Sequence, residues 1–116
     1  MRPMRSMVYL LSAAYALASS AYAANFYSGH DLHRFLIGTA EERALASGYV
    51  VGVNDAVADS IIDGFRFCVP PKTPRWQLTN TVADFLELRP ELRHIEAASL
   101  VAQALYGAFP CKERKG

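Results

Sequence analysis

The first 23 residues have the three parts of a secretory signal peptide in their usual order. Two arginines among the first five residues precede an uncharged run rich in Leu and Ala, residues 7–18, and the small residues Ala21 and Ala23 occupy the two positions that determine cleavage. We therefore expect residues 1–23 to be removed as a signal peptide. Residues 24–116 would then form one domain that works outside the cytoplasm.

The apolar run of this signal is shorter than the roughly 20 residues that a membrane-spanning helix needs. No later segment reaches that length without charged residues. We therefore expect no membrane span after cleavage. Two alternatives are cleavage after Ala24 and retention of the segment as an N-terminal anchor.

Removing 23 of the 116 residues leaves a domain of 93, small enough to gain from a covalent crosslink or a partner subunit. The signal carries two arginines and no acid. In the remaining domain ten Lys and Arg therefore face eleven Asp and Glu, and the net charge changes from +1 to −1. This balance lacks the basic excess of a nucleic-acid-binding domain, so we expect no nucleic-acid partner.

The chain has two cysteines, Cys68 and Cys111, and both lie in the part expected to be exported. An even number of cysteines in an oxidising compartment favours pairing, so we expect one disulfide. Chain-entropy reasoning gives such a crosslink about 4 kcal/mol at this spacing. The alternative is two free thiols or a redox pair, which the absence of a C-x-x-C motif disfavours.

Helix signals divide the domain into four helices. The capping motifs S-x-x-D at Ser28 and T-x-x-E at Thr39 begin the first two, which we expect to end at Gly38 and near Asp59. Strand signals are almost absent. The sequence predicts an all-α fold, a small four-helix orthogonal-type domain with one disulfide.

The third and fourth helices are bounded by prolines and by apolar spacing. Thr73 followed by Pro74 predicts a capped start with a first-turn proline, and the third helix should end before Pro90. The fourth helix should run from Glu96 to about Ala108. Residues 65–69 alternate in polarity, but without a second strand they predict an extended loop.

Small residues recur every four positions along the second helix, at Ala44, Gly48, Gly52 and Ala56. A face without side chains allows another backbone to approach closely, which would offset the cost of glycine in a helix. We expect this face to pack inside the domain. A homodimer interface is the alternative.

Few residues suggest chemistry. His30 and His33 stand one helical turn apart, but two histidines do not complete a metal site. Asp55, Asp59 and Asp63 match no calcium loop, so we interpret them as a solvated or partner-facing acidic edge. No nucleophile motif is present, and we expect no enzymatic activity and no cofactor or metal.

The loop before the third helix combines aromatic rings with arginines, which are frequent anchors of protein interfaces. It is bounded by prolines, so its backbone is restricted. We expect this loop to contact a partner protein. The candidate residues are Phe65, Arg66, Phe67, Arg75 and Trp76.

Four short sequence blocks resemble one known family. They are F-Y-S-G-x-D-L at 26–32, S-G-Y-V-x-G-V at 47–53, F-C-x-P at 67–70 and A-L-x-x-x-F-P-C at 104–111. Together they resemble the Rap/Tai family of immunity proteins. The resemblance implies a small, periplasmic, disulfide-bonded helical protein, often dimeric, that binds and inhibits a peptidoglycan amidase toxin delivered by type VI secretion. The alternative is a non-immunity envelope adaptor or structural binding domain of the same fold.

The chain departs from this family at one pair of positions. Relatives commonly carry a second cysteine pair where this chain has Leu36 and Ala46. We expect an apolar contact to fill that space, so that the fold survives without the second disulfide.

Overall fold

The computed structural model describes residues 26–57, 61 and 64–112. The expected signal peptide lies outside these residues. So do Asp59, where we expected the second helix to end, and Asp63.

The described residues form four α-helices. They are α1 (Gly29–Leu36), α2 (Ala40–Val57), α3 (Arg75–Leu88) and α4 (Ala97–Ala108), and a single 3-10 turn, Pro90–Leu92, follows α3. Isolated bridges join Ser28 to Glu96 and Phe67 to Pro110, and no described residue belongs to a strand longer than one residue. No helix in this part of the chain is long and apolar enough to cross a membrane. The all-α, four-helix expectation is confirmed.

Both predicted capping boxes are present. The Ser28 hydroxyl accepts from the Asp31 amide at 3.2 Å and the Asp31 carboxylate accepts from the Ser28 amide at 3.0 Å, and Thr39 and Glu42 repeat the exchange at 3.2 and 3.1 Å. The bonds from the Ser28 and Thr39 amides hold the pKa of Asp31 and of Glu42 below their usual values, because they favour the charged carboxylate. Each box satisfies amides that a helix start leaves unpaired.

The expected cap of α3 is wrong. The Thr73 hydroxyl donates to the Pro70 carbonyl at 2.6 Å, and Pro74, which we placed in the first turn, occupies the N-cap position without a side-chain hydrogen bond. The Thr73 hydroxyl is therefore part of a turn at 70–73 that precedes the helix, and it does not cap the helix.

Helix α4 lies at the centre of the core. Six of its twelve residues are buried: Ala97, Leu100, Val101, Ala102, Ala104 and Leu105. The other helices cover it with one apolar stripe each: Leu32 and Leu36 from α1, Ala46 and Val50 from α2, and Leu78, Val82 and Leu86 from α3. Leu36 and Ala46, which stand where relatives carry cysteines, are both buried in this cluster.

The disulfide between Cys68 and Cys111 is confirmed, with Cα atoms 4.9 Å apart. Beside it, Phe67 forms an antiparallel bridge with Pro110, and the Cys68 amide donates to the Phe109 carbonyl at 2.8 Å. The extended loop therefore does have a pairing partner, the segment after α4, which carried no strand signal of its own. These contacts fix the α2–α3 connection to the end of α4.

The expectation that the small-residue face of α2 packs inside the domain is wrong. All four of its residues are exposed, and a Cβ added to Gly48 or Gly52 would meet nothing within 4 Å. Helix α2 packs into the core through the opposite face, which carries Ala46 and Val50. We name the exposed set Ala44, Gly48, Gly52 and Ala56 the small-residue face.

The start of α1 approaches another backbone closely. The Gly29 amide donates to the Ile95 carbonyl and the His30 amide to the Arg93 carbonyl, each at 2.8 Å. A Cβ on Gly29 would lie 2.8 Å from both the Cα and the carbonyl oxygen of Arg93, and closer still to the buried Leu100 side chain. Glycine at this position therefore permits α1 to dock.

Gly29→Ala should lower the free energy of unfolding by about 1–3 kcal/mol, because the new methyl group forces backbone to move. Gly107→Ala is the matched control, since a Cβ there meets open space and alanine favours a helix by up to about 1 kcal/mol. Urea unfolding of both variants measures the difference. Equal effects of the two substitutions would contradict the close approach.

Candidate partner-binding groove

A groove of about 520 Å³ opens between α2 and the segment that leads into α3. Its volume lies within the range of about 300–1,000 Å³ that is common for ligand pockets. Its lining comes from Val51, Asn54 and Asp55 of α2, from Val69, Pro70, Pro71, Lys72 and Thr73, and from Arg75 and Leu78 of α3. The walls of the groove are therefore formed by two helices and one loop. Its shape depends on the conformation of that loop.

One wall of the groove is a tight turn at 70–73. The Thr73 amide donates to the Pro70 carbonyl at 3.3 Å, and Lys72 has a φ of +69°. Proline at the second position and a positive φ at the third are the features of a type II turn, in which glycine is the usual third residue. The turn places the exposed Lys72 at the groove.

The disulfide restrains the backbone that leads into this turn, since Cys68 lies two residues before Pro70. The ring of Phe67 is 2% exposed and belongs to the core. It anchors the loop from within, and in this conformation it offers no surface to a partner.

The other candidate residues lie at the surface. Arg75 lines the groove, Trp76 follows it on α3 with 65% of its surface exposed, and Arg66 is exposed on the loop. Phe65 is half-buried, and its ring packs against Tyr106 with centroids 5.4 Å apart. Of the five candidates, Arg75 alone lines the groove, while Trp76 adjoins it in sequence.

Lys72 and the α2 residues Val51 and Asn54 were missed by the sequence-based selection. The P-P-x-T pattern at 70–73 is a turn signal that could have drawn attention to Lys72. No sequence signal pointed to Val51 or Asn54, because their position beside the loop depends on how α2 packs against α3. Asp55, interpreted from sequence as part of an acidic edge, lines the groove.

The loop side of the groove is basic. Segment 64–76 contains three cationic side chains and no carboxylate, and within the described residues none of the three forms an ion pair: Arg66, Lys72 and Arg75. Helix α3 begins here without a side-chain cap and without an acid in its first turn, so the positive end of its dipole adds to the field. Asp55 is the carboxylate that lines the opposite wall.

The histidines of α1 lie elsewhere. His33 contacts Glu87 of α3, with Nε2 and Oε2 2.8 Å apart, and this hydrogen bond lowers the pKa of Glu87. Asp31 is occupied by the capping box, and His30 is exposed. Within the described residues, no group of three or more His, Cys, Asp or Glu side chains is placed to hold a metal ion. His33 therefore serves to join α1 to α3.

A sequence model of the family described as Rap1a immunity proteins matches residues 28–111. No curated protein matches the chain. The matched region begins at the residue that caps α1 and ends at the second cysteine of the disulfide. It therefore contains the four helices, the disulfide and every residue that lines the groove.

Lys72→Gly should leave the free energy of unfolding within about 1 kcal/mol of the wild type, because relief of the positive φ offsets the greater freedom of glycine in the unfolded chain. Lys72→Val should lower it by about 1–2 kcal/mol, since a β-branched residue tolerates this conformation poorly. Chemical unfolding of both variants distinguishes them. If valine were tolerated as well as glycine, the turn assignment would fail.

Proposed function

The chain belongs to the Rap1a immunity protein family, and from that membership we propose that it protects the producing cell by binding a toxin that the cell would otherwise be exposed to. The family match over residues 28–111 is the observation that carries this proposal. Proteins of an immunity family generally act by binding and have no catalysis of their own.

We further propose that the toxin is a peptidoglycan amidase delivered by type VI secretion and that the protein meets it in the periplasm. The signal features of residues 1–23 support export, and a disulfide is stable in the oxidising periplasm. The four sequence blocks that resemble the Rap/Tai family support the amidase. In this proposal the protein works by covering the active-site cleft of the enzyme.

The proposed contact surface is the groove together with Arg66 and Trp76. Exposed tryptophan and arginine side chains are enriched among the residues that dominate binding energy at interfaces. The disulfide and the buried Phe67 hold the loop that carries Arg66, and Trp76 lies in the first turn of α3, so little conformational entropy is lost when a partner binds. Such a preorganised surface suits an inhibitor that must bind tightly.

Trp76→Ala should weaken binding to the toxin by about 30-fold or more, the equivalent of about 2 kcal/mol. Leu88→Ala is the matched control, because Leu88 is 77% exposed on the last turn of the same helix, away from the groove. The protein is expressed in the periplasm together with candidate amidase effectors, and both cell survival and the affinity of the purified complex are measured.

Rescue by the wild type and by Leu88→Ala, with loss of rescue in Trp76→Ala, is the expected result. Cys68→Ser serves as the destabilised control, so that loss of fold and loss of contact are told apart. A folded, oxidised protein that neither rescues cells nor captures any amidase effector would contradict the proposed toxin class.

We also propose that two copies pair through the small-residue face of α2. This face is exposed, lies opposite the buried side of the helix and would let a second helix approach closely. Self-association through it would also serve the alternative role, an envelope adaptor of the same fold.

Gly48→Arg should convert this dimer to a monomer without unfolding it, because a side chain at that position meets open space within one copy. Gly107→Arg, at an equally open position on α4, should leave the dimer intact. Sedimentation velocity measures both variants over a range of concentrations. A wild type that sediments as a monomer throughout that range would refute the pairing.

A further inference from the structure

We propose that the groove binds an acidic segment of the partner, one that carries carboxylates and at least one apolar side chain. This inference rests on the proposed function, because the segment is taken to belong to the bound toxin. The inference specifies the charge and polarity of the segment that the groove binds, which membership of the family does not.

The first argument is that the cations at the groove have no ion-pair partner among the described residues, whereas three other arginines have one. Carboxylates lie within 4 Å of three other arginines in the described part of the chain: Asp31 beside Arg34, Glu91 beside Arg89 and Glu87 beside Arg93. Lys72 and Arg75, which line the groove, form no such pair with any carboxylate of the described residues, nor does Arg66 on the same segment. An incoming carboxylate would meet basic groups that are not already neutralised.

The second argument is the charge of the groove lining that the structure describes. Among these lining residues there are two cations, Lys72 and Arg75, and one carboxylate, Asp55, whose Oδ1 already accepts from the Asn54 side chain at 3.4 Å. The N-terminus of α3 adds partial positive charge on the same side. The positive charges of a basic segment would be repelled by Lys72 and Arg75 and attracted by Asp55 alone. The groove therefore favours an acidic segment.

The third argument is that part of the lining is apolar. Val51, Val69 and Leu78 contribute side chains from three different elements, and Pro70 and Pro71 extend the apolar wall. A small anion would pair with the cations and leave this surface in water. A segment that also presents an apolar side chain covers it, which adds about 25 cal/mol for each Å² removed from water.

The test uses a four-residue peptide, capped at both ends, of alternating glutamate and leucine. It is titrated into the ¹⁵N-labelled, oxidised protein while amide chemical shifts are followed. Shift changes should be confined to residues 51–55 and 69–78, and a peptide with glutamine in place of glutamate should bind about tenfold more weakly. Raising the salt concentration should weaken the acidic peptide selectively.

Lys72→Gln/Arg75→Gln should weaken binding of the acidic peptide by about tenfold, as expected for the loss of two exposed charge pairs. Arg43→Gln/Arg89→Gln is the matched control, because it removes the same charge. The nearest groove-lining residues on the adjoining helices are Val51 and Leu78, about 12 Å along α2 from Arg43 and about 16 Å along α3 from its C-cap Arg89 at 1.5 Å per residue. The control should bind within about twofold of the wild type.

Three outcomes of the peptide titration would each overturn the inference: no shift changes with the acidic peptide, equal binding of the glutamine peptide, or equal binding by the two double variants. The proposed function is judged separately, by capture of the toxin. A wild type that binds the acidic peptide at the groove but captures no toxin contradicts the function and leaves the groove chemistry standing. Toxin capture that survives Lys72→Gln/Arg75→Gln undiminished contradicts the groove and leaves the function standing.

Discussion

The covalent link between Cys68 and Cys111 holds the connection between α2 and α3 against the end of α4. An extended segment has few backbone hydrogen bonds of its own, and here the bridge between Phe67 and Pro110, which includes the bond from the Cys68 amide to the Phe109 carbonyl, supplies them. Without the crosslink this bridge and the packing of the Phe65 and Phe67 rings would have to restrain the segment around residue 68. The groove wall at 70–73 begins two residues beyond the cysteine, so the same link that stabilises the domain also positions its candidate contact surface.

The disulfide can do this because α4 provides a rigid end to attach to. Helix α4 contributes six residues to the core, and each of the other three helices lays one apolar stripe on it. Two contacts hold α1 in place over the core. One is the close approach of its backbone at Gly29, and the other is the hydrogen bond between His33 and Glu87 of α3. A small domain thus concentrates its apolar burial on one helix, and Leu36 and Ala46 belong to that buried cluster.

Local chemistry made much of this fold predictable from sequence. The capping boxes at Ser28 and Thr39 specify helix starts through hydrogen bonds three residues apart, and the disulfide followed from the number of cysteines and the expected compartment. The groove was not predictable in the same way, because Val51 and Lys72 meet only through the packing of α2 beside the loop. The small-residue face was misjudged because spacing identifies a face but not its surroundings. Helix α2 has another apolar face, with Ala46 and Val50, and the larger valine favours that one for the core.

Helix α2 carries both proposed surfaces, and this has a geometric consequence. Val51 and Asp55 line the groove, while Gly48 and Gly52 belong to the small-residue face. The two pairs alternate along the helix, and each residue is rotated by about 100° around the helix axis from the one before it. They therefore occupy adjoining sectors of its circumference. A second copy seated on the small-residue face would reach the rim of the groove, and a toxin segment in the groove would touch both copies or compete with one of them. Pairing and toxin binding in this protein would then be coupled through a single helix.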